Sequence, residues 1–278
     1  MSLREVRRCA IFIKSFYDFL QIIQTNPSID CEYRKDLKKW KVDDLLSKSL
    51  NLCLFLCYYL RIPNKKVKND LLNEPTFKKY YEDIKNFSLF PNQIMEHLGN
   101  EIIKEKGIAK NKALKENIFT LFFCIINRIP VFICGKPGTS KSLSVQLLFN
   151  AMVGESSSSK LLQKFPRLTI NSYQGAKTST SEGVERVFQK AKKYLEGEYN
   201  KGISLVYFDE LGLAELSPNN PLKVLHKELE LDINGNTKQV AFVGISNWTL
   251  DASKMNRGVF LSILDPDEED LVETAKAI

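Results

Sequence analysis

The chain has 278 residues, 44% of them hydrophobic and 26% charged, with a net charge of +7. That balance excludes wholesale disorder and leaves room for about two domains with cores of their own. Six cysteines without a CxxC pair, and only two histidines, His97 and His226, exclude a zinc finger or RING within these residues.

The chain starts on a basic segment whose apolar run is broken by Lys14 and Asp18, with no small-residue cleavage site, so no secretory signal is expected. Val6, Ile13, Phe16, Phe19, Leu20 and Ile23 recur at helical spacing, and Asn26-Pro27 stops that first helix. A second helix is predicted over Asp43–Arg61, ended by Pro63, with Leu46, Leu50, Cys53, Leu54 and Cys57 on its face. Lys65, Lys66 and Lys68 then read as a solvated turn. Further helices are predicted over Gln93–Lys106 and Lys112–Asn127. The most apolar stretches, 52–60 and 118–126, fall short of the roughly 20 residues of a membrane helix, so no transmembrane segment is expected. Four of the cysteines lie in apolar surroundings, as reduced thiols of a cytosolic protein do.

After Pro130 the texture changes. Short β-branched or aromatic runs at 131–134, 168–171, 203–208, 240–245 and 259–262 alternate with helical stretches at 141–153, 180–196, 219–230 and 251–256. A last short helix is expected over 268–277, and Ser156–Ser159 reads as an exposed loop. The alternation predicts an α/β fold, a parallel five-stranded sheet with covering helices, preceded by an all-α lead-in. The expected division is 1–110 as lead-in or inter-module linker and 111–278 as the core. The charge follows the same division. Residues 1–115 hold 22 basic and 14 acidic side chains, while the remainder holds 18 and 19.

The chemistry is concentrated in three strand ends. Gly135-Lys136-Pro137-Gly138-Thr139-Ser140-Lys141-Ser142 follows an apolar strand and opens a helix, the setting a phosphate-binding loop needs. Backbone N–H groups there face phosphate, Lys141 neutralises its charge and the Ser142 hydroxyl suits Mg²⁺. Ser140 stands where glycine is usual. Alone, the segment also reads as an ordinary Gly/Pro/Ser turn. The second strand end, Ser204–Phe208 followed by Asp209-Glu210, fits a Walker B site: Asp209 for Mg²⁺, Glu210 to polarise the attacking water. The third is Asn247 after the 240–245 strand, able to orient that water between the other two. The three in this order point to a P-loop NTPase of AAA+ type. Arg257, ten residues on, fits either an arginine finger for a neighbouring module or a solvent-facing helix end beside Gly258.

At this level the chain resembles the mysterin family, giant dynein-like AAA+ ATPases that are also RING-type ubiquitin ligases. The resemblance rests on Ala113–Ile118, Arg128–Val131, Gly135–Leu143, Asp209–Glu215, Pro221–His226, Val243–Trp248 and Met255–Gly258, with Leu3–Val6 and Ser49–Arg61 upstream. It implies ATP binding and hydrolysis with Mg²⁺, and a serine before the lysine as part of the family's own loop. It also implies Lys141 and Ser142 as Walker A, Asp209 and Glu210 as Walker B, Asn247 as sensor 1 and Arg257 as the finger. Tandem modules in a ring-like core, cytosolic location, lipid-droplet association and ubiquitin transfer from a distant part follow from the same resemblance. The family's helical lid needs roughly 70 further residues, so these residues are expected to end before it. The alternatives are a structural ATP-binding module, a gene fragment, or a nucleic-acid motor suggested by the basic third. No aromatic-basic platform supports nucleic acid as a partner.

Overall fold

Five apolar runs after Pro130 become the strands of one parallel sheet in the computed structural model, which describes residues 2–31, 33–62, 64–75, 84–196, 202–230, 239–263 and 268–277. They are β1 (Val131–Cys134), β2 (Leu168–Gln174), β3 (Ile203–Asp209), β4 (Ala241–Ser246) and β5 (Val259–Ser262). Their order is β2-β3-β4-β1-β5, every pairing parallel, with Ile133 opposite Ile245 and Leu205 opposite Ala241.

Side chains alternate between the faces, as strand geometry requires. Val131, Ile133, Leu205, Val243 and Ile245 join one core, and Phe132, Val206, Phe208 and Phe242 join the other. Both faces are buried, which explains why these strands read as continuous apolar runs.

Helices α1 (Leu3–Thr25), α2 (Arg34–Leu37), α3 (Val42–Leu54), α4 (Lys65–Asn73) and α5 (Ile84–Ile102) precede the sheet. Ser2 and Glu5 form a capping box at the start of α1, with the Glu5 N–H donating to Ser2 Oγ at 3.3 Å. α3 runs into a π-turn over Phe55–Tyr59, closed by Leu60 N–H donating to the Phe55 carbonyl at 2.9 Å. The helix that precedes β1 in the chain is α6 (Lys112–Ile126). Its Phe123 ring centroid is 4.2 Å from that of Phe16 and 5.2 Å from that of Phe19, both on α1. One apolar cluster therefore runs from α1 and α3 through α6 to the sheet. The remaining helices are α7 (Lys141–Ala151), α8 (Ser181–Glu196), α9 (Leu211–Glu215), α10 (Val224–Glu228), α11 (Ala252–Met255) and α12 (Glu268–Ala277). The apolar face of α8, with Val184, Phe188, Ala191 and Leu195, covers the second face of the sheet. No helix among the described residues is long and apolar enough to cross a membrane.

Four expectations change. Lys65, Lys66 and Lys68 are helical, because the Asn64 side chain caps α4 by accepting from the N–H groups of Lys66 and Val67. The Lys68 ammonium stands 5.2 Å from the Tyr59 ring centroid, and burial lowers its pKa. Helix α5 begins at least nine residues before Gln93 and contains Pro91. The N–H that Pro91 lacks would have met the Phe87 carbonyl, and the buried Asn51 amide donates there instead at 3.2 Å. Ser157 and Ser159 are buried, the first donating to the Ala151 carbonyl at 2.9 Å and the second accepting from Leu162 N–H at 3.1 Å. The helix expected over 219–230 is a 3₁₀ turn at Pro221–Lys223 followed by the short α10, since Asn220 turns left-handed at φ 46°. Pro63 lies outside the described residues.

Candidate nucleotide-binding site

Because β4 lies between β1 and β3, the ends of those three strands stand side by side. Ligands of open α/β sheets bind at such carboxyl ends. The loop after β1, the two acids after β3 and the asparagine after β4 meet there.

The loop 135–140 joins β1 to α7. Its carbonyls turn inward on Lys141, whose ammonium donates to Gly135 O at 2.6 Å and Lys136 O at 2.7 Å. Burial lowers the Lys141 pKa, while Glu210, Cys134 and Asp209 act against that. Thr139 Oγ1 donates to Lys136 O at 2.8 Å. From α6 the fully buried Asn117 donates to Thr139 O at 3.4 Å, so the loop is held from beneath. Gly138 has φ 84° and Ser140 has φ 57°, ψ 20°. That left-handed geometry explains why glycine is usual at the serine's position: a side chain there costs about 1–2 kcal/mol.

Glu210 is also left-handed, at φ 50°, ψ 41°. The turn brings its carboxylate back over β4, where Asn247 Nδ2 donates to both oxygens at 3.0 Å. Its own N–H donates to Asp209 Oδ1 at 2.9 Å. Behind it lies Gly175, whose N–H donates to Asp209 O at 2.8 Å. A methyl on Gly175 would sit 2.2 Å from the Glu210 carbonyl oxygen, so the backbones touch where only glycine fits. Asn247 is fixed by its neighbours, with Ser246 Oγ donating to Trp248 O at 2.6 Å.

The donor set suits a phosphate bearing a hard cation. Ser142 is exposed at the first turn of α7, and Asp209 offers carboxylate oxygen, the ligand type Mg²⁺ takes. The Tyr207 phenol stands beside both. Burial raises its pKa, partly countered by Ser142, and the Asp209 charge raises it further. Beside Gly138, the place a Cβ would take has no atom within 4 Å.

Lys141, Asp209, Glu210 and Asn247 thus share one site, with Gly135–Ser142 around them. Arg257 lies elsewhere: its guanidinium donates to His226 O at 2.9 Å and is 4.0 Å from Glu230. The segment around it is clamped. Arg8 of α1 donates to Asn256 O at 2.8 Å and Gly258 O at 3.0 Å, and Lys254 pairs with Glu215 at 2.7 Å. Sequence reasoning missed Asn117, Tyr207, Gly175 and Arg8. Tyr207 carried a signal, since it shares the strand face of Asp209 two residues on. The others carried none, because their contacts join segments remote in sequence.

Residues 107–270 match the family model described as the RNF213 AAA domain. The chain is 35% identical to the human E3 ubiquitin-protein ligase RNF213 and 36% identical to E3 ubiquitin-protein ligase rnf213-beta of Danio rerio, each over 100% of this chain and 5% of the relative. The mouse RNF213 is 33% identical over 100% of this chain and 6% of its own length. The chain therefore spans about one twentieth of the relatives it matches. The match over more than half its length, on a five-stranded parallel sheet, makes the chain a member of the mysterin family, as an AAA module of the RNF213 type.

Proposed function

We propose that this module binds Mg²⁺-ATP and hydrolyses it to ADP and phosphate. The observation that carries the reading is the Asn247–Glu210 contact, two 3.0 Å hydrogen bonds joining the candidate base to the tip of the neighbouring strand. Mg²⁺, when bound with ATP, supplies charge neutralisation on the β- and γ-phosphates. Ser142 and Asp209 would hold it. The Lys141 ammonium leaves the loop carbonyls for the phosphate oxygens, exchanging neutral acceptors for anionic ones. Glu210, aimed by Asn247, accepts the proton of the attacking water. Arg257 is engaged with the His226 carbonyl and not with these residues, as suits a finger that acts on a neighbouring module.

Within a longer protein such a module would work beside further modules and serve a ubiquitin ligase, the activity named for its relatives. The test is single-turnover hydrolysis alongside equilibrium ATP binding. Glu210→Gln should bind ATP as the parent does and lose turnover, and Lys141→Ala should lose binding. A Glu210→Gln protein with parental turnover would remove the assigned base. Retained, unhydrolysed ATP in the parent would favour a structural site.

A further inference from the structure

Three thiols gather where α1 packs on α3, on elements that carry none of the candidate nucleotide-site residues. Cys9 lies on α1, Cys53 on α3 and Cys57 in the π-turn that continues it. Their sulfur atoms all lie within 4.8 Å of one another, with Cys53 Sγ and Cys57 Sγ 4.0 Å apart. All six cysteines are free thiols. We propose that Cys9, Cys53 and Cys57 form a three-thiolate site for a single copper(I) ion.

The geometry comes first. A metal bound in the plane of three sulfurs at about 2.3 Å holds them roughly 4.0 Å apart. One edge of the triangle already has that length, and the others close by less than about 1 Å. Cys53 and Cys57 are four residues apart and share a helix face that α1 crosses at Cys9. Cys57 lies within the π-turn, and such turns gather at functional positions.

The ligand count then selects the ion. No histidine or carboxylate joins the three sulfurs among the described residues. Zinc takes four ligands in structural sites, whereas soft, monovalent copper(I) accepts thiolates alone. Three thiolates and Cu⁺ leave a charge of −2. The surroundings are cationic: burial, Arg61 and Arg4 together lower the pKa of Arg8, and Arg61 favours the thiolate of Cys57. The Arg61 guanidinium, which donates to the Cys57 carbonyl at 3.2 Å, would gain from an anionic cluster beside it. Around the sulfurs, Tyr58 Oη lies 3.7 Å from Cys9 Sγ, and the Cys53 thiol donates to Cys9 O at 3.6 Å. Cys9 is half-buried and Tyr58 is 37% exposed, which gives the ion a way in.

The binding step balances as Cu⁺ plus three thiols giving a dianionic complex and three protons. No oxidant or reductant takes part.

The experiment is an anaerobic titration of the purified chain with copper(I) against the chromophoric chelator bicinchoninate. One ion per chain should resist the chelator, with proton release in weak buffer. Cys9→Ser should weaken binding at least tenfold, and Cys31→Ser and Cys134→Ser should leave it unchanged. X-ray absorption on the loaded parent, which needs no variant, should count three sulfurs. The proposal falls if less than half an ion binds, if Cys9→Ser binds as tightly as the parent, or if two or four sulfurs are counted. Tight zinc(II) binding without copper(I) binding would also overturn it.

Discussion

Gly175→Ala adds one methyl group at the back of the proposed base. That methyl would lie 2.2 Å from the Glu210 carbonyl oxygen, 2.8 Å from its carbonyl carbon and 3.1 Å from Asp209 O. All three are backbone atoms, so no side chain can rotate away. Relief requires moving the β3 end by about 1 Å, and such overpacking costs about 1–3 kcal/mol. For a chain of this size that lowers Tm by roughly 2–10 °C. The functional cost is larger, since a 1 Å error in aim can reduce turnover about 100-fold. ATP affinity should change less than turnover, because β4 separates the displaced end of β3 from the loop after β1. The control is Gly107→Ala, at φ 83° with no atom within 4 Å of the new methyl: it tests left-handed strain alone, about 1–2 kcal/mol, and should leave turnover intact. Calorimetry and phosphate release on both variants provide the assay. A Gly175→Ala protein with parental Tm and turnover would refute the backbone contact as the reason for glycine.

Other outcomes follow from the same structure. Ser140→Gly relieves a left-handed serine and should raise stability by up to about 1 kcal/mol in urea unfolding, with loop flexibility acting against the gain. Asn117→Ala removes the donor beneath Thr139, so it should cost about 1–3 kcal/mol and weaken ATP binding in equilibrium titrations. His97 adds a pH dependence. Burial lowers its pKa from the ordinary 6.5, opposed by Glu101. The unfolded chain therefore binds more protons as pH falls below about 6.5, and stability declines from there toward the folded-state pKa. Unfolding at pH 7.5 and 5.5 should show a smaller acid loss in His97→Gln than in the parent, and equal losses would remove His97 as a cause.

The strands were legible because both faces of the sheet are buried, so 131–134 and 203–208 stand out as apolar runs between polar helices. The placing of the 135–142 loop, Asp209 and Glu210 was legible because each lies at or directly beyond the end of an apolar strand. Other features depend on partners that no local window contains. Helix α5 crosses Pro91 only because Asn51 reaches the Phe87 carbonyl from another helix. Lys65–Lys68 reads as a loop by charge, yet Asn64 caps it into a helix whose Lys68 leans on Tyr59. Ser157 and Ser159 are polar residues that hold a buried turn through their own hydroxyls. The clamp of Arg8 on Asn256 and Gly258 spans some 250 residues.

The aromatic seam between α1 and α6 bears on how the molecule comes into being. Phe16 and Phe19 meet Phe119, Phe122 and Phe123 across the expected division between residues 110 and 111. A shortened chain starting at residue 111 would bare those α6 rings, each worth about 1.5–3 kcal/mol of burial, and would present a sticky face to its own copies. During synthesis α1 and α3 are made before the α6 rings that complete their shared apolar cluster. The nucleotide fold and the helices ahead of it would then melt together, as one transition rather than two.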